Sequence, residues 1–185
     1  MNINRQWLLA KRPDGIVGAD NFSYSETPIP EPGEGEVLVR NLYLSFDPTQ
    51  RGWMQDKESY MPPVELGEVM RAGSIGQVVE SNNDGFAKGD LVQSIGGWQD
   101  FFIAQPGRGL VGLSKLPEGA PPTLFLSVLG VTGLTAYWGM LDLGHPKEGE
   151  TLLVSGAAGA TGSIAGQIGR IKGCRVVGIA GGPEK

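Results

Sequence analysis

With 185 residues, 40% of them hydrophobic and 19% charged, the chain has the balance of an ordinary globular protein, long enough for one good core or two small ones. A net charge of -5 argues against nucleic acid or an anionic membrane surface as the main partner, since both require basic patches and no basic cluster stands out. One cysteine and one histidine exclude an internal disulfide and leave too few ligands for a zinc site.

The 30 glycines and 13 prolines are spread without a period, which predicts tight turns between short strands. Strands are predicted over residues 5–10, 22–29 and 36–45, the last being the longest β-branched and aliphatic run of the first part. Pro48 suits a first helical position and Asp47 an N-cap, so one helical turn is expected over residues 49–54. A loop over residues 55–63 carries Tyr60. Further strands are expected over 72–81, 91–92 and 98–104, separated by Asn, Asp and Gly turns. This many short strands over the first 122 residues predicts a small, partly open β-barrel.

Pro117, Pro121 and Pro122 mark a change of composition, after which residues 124–129 and 134–143 have helical spacing. Leu134, Trp138 and Leu141 form an i, i+4, i+7 stripe expected to face the core, and His145 lies in an exposed loop. Leu152, Leu153 and Val154 then run into a glycine turn. A helical pattern follows, with Ile164, Ile168 and Ile171 on one face. Gly173 suits the helix end, where φ > 0 carries a penalty for any residue with a Cβ. Residues 175–180 read as a buried parallel strand opened by Cys174, a small buried hydrophobe. The whole is a β-α-β unit.

Inside it, residues 157–162, Ala-Ala-Gly-Ala-Thr-Gly, form the dinucleotide fingerprint G-x-G-x-x-G with alanine for the first glycine. Gly159 lets backbone amides approach a pyrophosphate, Gly162 lets the helix pack closely on the strand, and the helix N-terminus faces the negative charge. No apolar run approaches the ~20 residues that span a bilayer, and no signal-peptide pattern opens the chain. A cytoplasmic protein without a membrane partner is expected.

Several stretches resemble the zinc-free branch of the medium-chain dehydrogenases/reductases, which includes prostaglandin, alkenal and curcumin reductases. They are Leu44-Ser45-Phe46-Asp47-Pro48 with Arg51-Gly52, Gly97-Trp98-Gln99-Asp100, and Leu129-Gly130-Val131-Thr132-Gly133 through Tyr137. The fingerprint and Gly173 through Gly178 complete the set. The resemblance implies a mixed β and α/β fold: a GroES-like barrel over residues 1–122 that takes the substrate, then the start of a Rossmann domain over 123–185.

The resemblance further implies NADPH as cofactor and, as partner, a small conjugated carbonyl compound whose carbon-carbon double bond is reduced. It implies no metal, and leaves room for a homodimer. Carried over by position, Gly159, Ala160, Thr161 and Gly162 hold the pyrophosphate, Lys185 meets the adenosine 2′-phosphate, and Tyr60 donates to the substrate carbonyl. Asp47 and Arg51 are expected to pair within a structural turn.

Two departures stand out. Thr49-Gln50 follows the Asp-Pro pair where many relatives have Tyr-Met, and a threonine hydroxyl is a poor acid in place of that tyrosine. A six-stranded Rossmann domain needs strands beyond the two readable here, so the chain reads as the N-terminal portion of the enzyme. Reduction of quinones on the same scaffold, or a non-catalytic binding or structural module, are the competing readings.

Overall fold

The computed structural model describes residues 3–107 and 112–182. It divides into two compact units, Met1–Pro122 and Thr123–Lys185.

The first unit is strand-rich. β1 (Ile3–Leu9) and β2 (Phe22–Pro28) form an antiparallel hairpin across a turn closed by Ala19–Asn21. A five-stranded antiparallel sheet contains β3 (Val37–Leu44), β4 (Ser74–Ser81), β5 (Leu91–Ser94), β6 (Phe101–Ala104) and the two-residue β7 (Ser114–Lys115), in the order β6-β3-β4-β5-β7. Short backbone bridges stitch the hairpin to this sheet: the Trp7 amide donates to Trp98, the Met70 amide to Trp7, and the Asp100 amide to Arg5, at 2.8, 2.8 and 3.0 Å. The result is the expected partly open barrel.

Two apolar clusters fill it. Val37, Val39, Val78, Val92 and Phe102 pack inside the sheet, as alternation along β3 and β4 dictates. Leu9, Trp53, Met54, Met61, Val64 and Met70 form the second cluster, under α1 (Thr49–Trp53). At the head of α1 the expected cap is absent: Pro48 occupies the N-cap position, and Asp47 instead accepts the Ser45 hydroxyl at 2.6 Å. Nor do Asp47 and Arg51 pair, because the Arg51 guanidinium reaches across to the Gly15 carbonyl at 2.9 Å.

A 3₁₀ segment (Pro122–Leu126) starts at the last residue of the first unit and runs into the second, where it precedes α2 (Val131–Tyr137), which widens into a π-helical segment (Trp138–Gly144). β8 (Thr151–Ser155), α3 (Ala160–Ile171) and β9 (Arg175–Ile179) form the expected β-α-β unit, with β8 and β9 parallel and in register from Thr151 opposite Arg175 to Ser155 opposite Ile179. Gly173 has φ 79°, as the helix end requires.

Burial in this unit differs from expectation. Leu134 and Trp138 are exposed, and α2 buries Gly133 and Ala136 instead, because a side chain at Gly133 would strike the Val128 carbonyl. Ile171 is 82% exposed; α3 meets the sheet through Gly169, where a Cβ would run into Leu152 and Val176. β9 is mostly exposed, since β8 is its one partner strand among the described residues. Cys174 is half-buried, with its thiol against the Lys147 carbonyl at 3.3 Å.

Candidate functional site

The glycine turn of the second unit is built by close backbone approach. β8 ends at Ser155, the chain reverses through Gly156 at φ 59°, and the Ala157 amide donates to the Ile179 carbonyl at 3.0 Å, tying the turn to the end of β9. The Gly159 amide closes on the Gly156 carbonyl at 2.8 Å, and Gly159 caps α3 with extended backbone. A Cβ on Gly162 would collide with the Gly156 carbonyl and stand 3.0 Å from the Ala157 Cα. The first turn of α3 therefore nests directly behind the loop.

Ala160, Thr161 and Gly162 open the helix, so their amides have no carbonyl one turn earlier within it and point out of its positive end. Ala158, Gly159 and Ala160 are exposed. Amides at the exposed start of a helix are of the kind that can receive a pyrophosphate. Lys185 lies outside the described residues.

In the first unit, Tyr60 is 71% exposed, yet its hydroxyl is held. The Trp53 indole N–H donates to it at 3.2 Å, and the Thr49 hydroxyl is in contact with it. Thr49 and Trp53 stand i, i+4 on α1, so one helical turn aims both at the loop above. That loop is pinned at its far end, where the Val64 amide donates to the Trp53 carbonyl at 2.8 Å. Arg12 donates to the carbonyls of Met54 and Val64 at 3.0 and 3.1 Å. The guanidinium of Arg71 covers the Trp53 ring, 5.5 Å from its centre, and donates to the Pro62 carbonyl at 2.7 Å.

Sequence reasoning named Tyr60 and missed its neighbours. The spacing of Thr49 and Trp53 was the available signal. Nothing in the sequence pattern pairs either residue with a side chain across a loop.

Also in the first unit is a cavity of about 580 Å³ walled by Trp7, Phe22, Tyr24, Leu44, Phe46 and Trp98. Trp98 packs between Phe22 and Phe46, at ring-centre distances of 4.9 and 5.3 Å. Arg5 and Asp100 pair at its rim, and the Arg5 guanidinium holds the Asp100 carboxyl below the usual carboxylate range. Tyr24 donates to Glu26 at 2.6 Å, and that carboxylate acceptor pushes the phenol upward. The lining suits a flat, neutral, apolar molecule. Among the described residues, no group of three or more His, Cys, Asp or Glu could hold a metal ion, and no helix is long and apolar enough to cross a membrane.

Comparison with known proteins agrees with this architecture. The chain is 52% identical over 182 residues to the NADPH-dependent curcumin reductase of Escherichia coli (strain K12), covering 98% of this chain and 52% of that protein. It is 41% identical over 182 residues to prostaglandin reductase 1 of Mus musculus, covering 98% of this chain and 53% of that one. The crystal structure of CurA in complex with NADPH from Vibrio vulnificus superposes with a TM-score of 0.87 at 50% identity, covering 97% of this chain and 52% of that chain. The chain thus spans about half the length of the curated relatives it matches. A family described as the N-terminal domain of oxidoreductase matches residues 5–113. The chain belongs to that family, in keeping with the likeness to zinc-free medium-chain reductases read from its motifs.

Proposed function

We propose that the complete protein containing this chain is an NADPH-dependent reductase of the carbon-carbon double bond in α,β-unsaturated ketones or aldehydes. The observation that carries this reading is the exposed, close-packed glycine turn ahead of α3, in a chain half-identical to an NADPH-dependent reductase. In this reading the second unit binds the cofactor and the first takes the substrate. The amides of Ala160, Thr161 and Gly162 receive the pyrophosphate, and Lys185 receives the 2′-phosphate.

When bound, NADPH supplies the hydride that adds to the β-carbon of the conjugated acceptor. Negative charge then develops on the carbonyl oxygen, so the protein's task is to orient the substrate and donate a hydrogen bond to that oxygen. Tyr60 is the donor. Its hydroxyl stands at an exposed position while its ring is fixed by a pinned loop, which holds the donor in place before the charge forms.

The test is NADPH consumption by the complete protein with a panel of enones, enals and quinones. Consumption with enones and enals, with the saturated carbonyl as product, is the expected result. Consumption with quinones alone would transfer the protein to quinone reduction, and none with any acceptor would favour a non-catalytic module.

A further inference from the structure

We infer that Trp53 and Thr49 are positioning residues that give the Tyr60 hydroxyl a fixed polarity, directing its proton outward to the substrate oxygen. This rests on the enone-reductase reading above, in which Tyr60 is the donor.

An indole N–H donates and cannot accept. Its 3.2 Å bond to the Tyr60 oxygen therefore consumes one acceptor site of the phenol. The Thr49 hydroxyl, in contact with the same oxygen, can donate to the remaining acceptor site. Either hydroxyl of this pair can donate; with Thr49 as the donor both sites are filled, and the phenol has only its own O–H left to offer, outward, since the residue is mostly exposed. A phenol in open water would turn its proton among many acceptors. Here the two neighbours remove that freedom.

The chain of donors runs Thr49 to Tyr60 to substrate oxygen, and hydrogen bonds in series polarise one another, so the last donor is strengthened by the first. Arg71 adds to this from the other side. A cation on the face of the Trp53 ring draws electron density from the indole and makes its N–H a better donor. No bond is broken at Tyr60 in this role: the hydroxyl donates to the developing oxyanion and keeps its proton, and the enolate takes the proton for its α-carbon from solvent water. Thr49 thus contributes through Tyr60, and its weakness as an acid does not matter.

The test is a set of variants in the complete protein. Trp53→Phe removes the N–H and keeps a ring in the core; Thr49→Val removes the hydroxyl at nearly constant shape. Each should lower kcat for an enone roughly tenfold and leave the KM for NADPH unchanged, while Tyr60→Phe lowers kcat by about 10². Because both act through one hydroxyl, neither should cost anything further in a Tyr60→Phe background. Equal losses with and without the Tyr60 hydroxyl would overturn the inference, since a purely structural role in the core is indifferent to it.

A second readout needs no turnover and no Trp53 variant that folds. The indole N–H resonance of Trp53 should exchange slowly with solvent and move when Tyr60 is changed to Phe. A resonance unaffected by that change would also overturn the inference. If Tyr60→Phe leaves turnover intact while the resonance moves, the bond stands and the assignment of Tyr60 as substrate donor fails.

Discussion

The carboxylate of Asp100 grips the guanidinium of Arg5 at two atoms, Nε at 2.6 Å and Nη2 at 3.1 Å, joining the first strand to the turn before β6. The same residues are joined through the backbone, where the Asp100 amide donates to the Arg5 carbonyl at 3.0 Å. The pair is part of a polar seam between β1 and residues 99–101, which also includes the bonds of Asn4 to Gln99 and Phe101 and of Gln6 to Gln99.

A pH dependence follows from it. The Arg5 side chain lowers the Asp100 carboxyl below its ordinary value. A carboxyl lowered in the folded state adds stability above its unfolded value, and that contribution is lost as pH falls through the folded one. Asp100→Asn should lower the Tm slightly and by a constant amount near neutral pH, and the difference from the parent should shrink below about pH 4. Melting curves across pH 2 to 8 check this. A difference that does not change with pH would mean that the ion pair contributes nothing.

Gly162 offers a sharper perturbation. A methyl group there collides with the Gly156 carbonyl, so Gly162→Ala forces the turn away from the helix. Overpacking of this kind costs about 1–3 kcal/mol. Denaturant unfolding should show the loss, and in the complete protein NADPH should bind several-fold more weakly because the amide cradle is displaced.

Protection against hydrogen exchange should separate the strands. β3 has a partner on each side, β4 and β6, whereas β9 pairs with β8 alone among the described residues. Amides in Val37–Leu44 should exchange slowly and those in Arg175–Ile179 quickly. Mass spectrometry of peptides from the two strands tests this; equal protection would contradict it.

Cofactor choice is testable through Lys185. Residues 180–182, Ala-Gly-Gly, follow β9 without the carboxylate that repels a 2′-phosphate in NAD-specific fingerprints, and Lys185 comes three residues later. In the complete protein Lys185→Ala should raise the KM for NADPH several-fold and leave that for NADH nearly unchanged. Equal changes for both cofactors would remove the lysine from the phosphate site.

What could be read ahead of the structure was set by local chemistry. The alternation of Val37, Val39, Val78 and Val92, with Asn and Gly turns between strands, carries the barrel, and the step from apolar run to glycine turn to helix carries the β-α-β unit. Misreadings arose where packing is done by residues with little hydropathy. Gly133 and Ala136 bury α2, leaving Leu134 and Trp138 exposed, while on α3, seated through Gly169, Ile164 and Ile168 of the apolar stripe are half-buried and Ile171 is exposed. The hydroxyl cluster was half legible. Tyr60 was singled out by the resemblance, but its bonds to Trp53 and Thr49 span a loop, and no periodicity encodes such a contact.

The two-stranded parallel sheet has a practical consequence. Each of its strands carries a free row of backbone donors and acceptors among the described residues, flanked by exposed Leu153, Val177 and Ile179. An open, apolar edge is a template on which another chain can add a strand. When this chain is produced alone, self-association through that edge should rise with concentration, and Leu153→Lys or Val177→Lys should suppress it while the barrel stays intact.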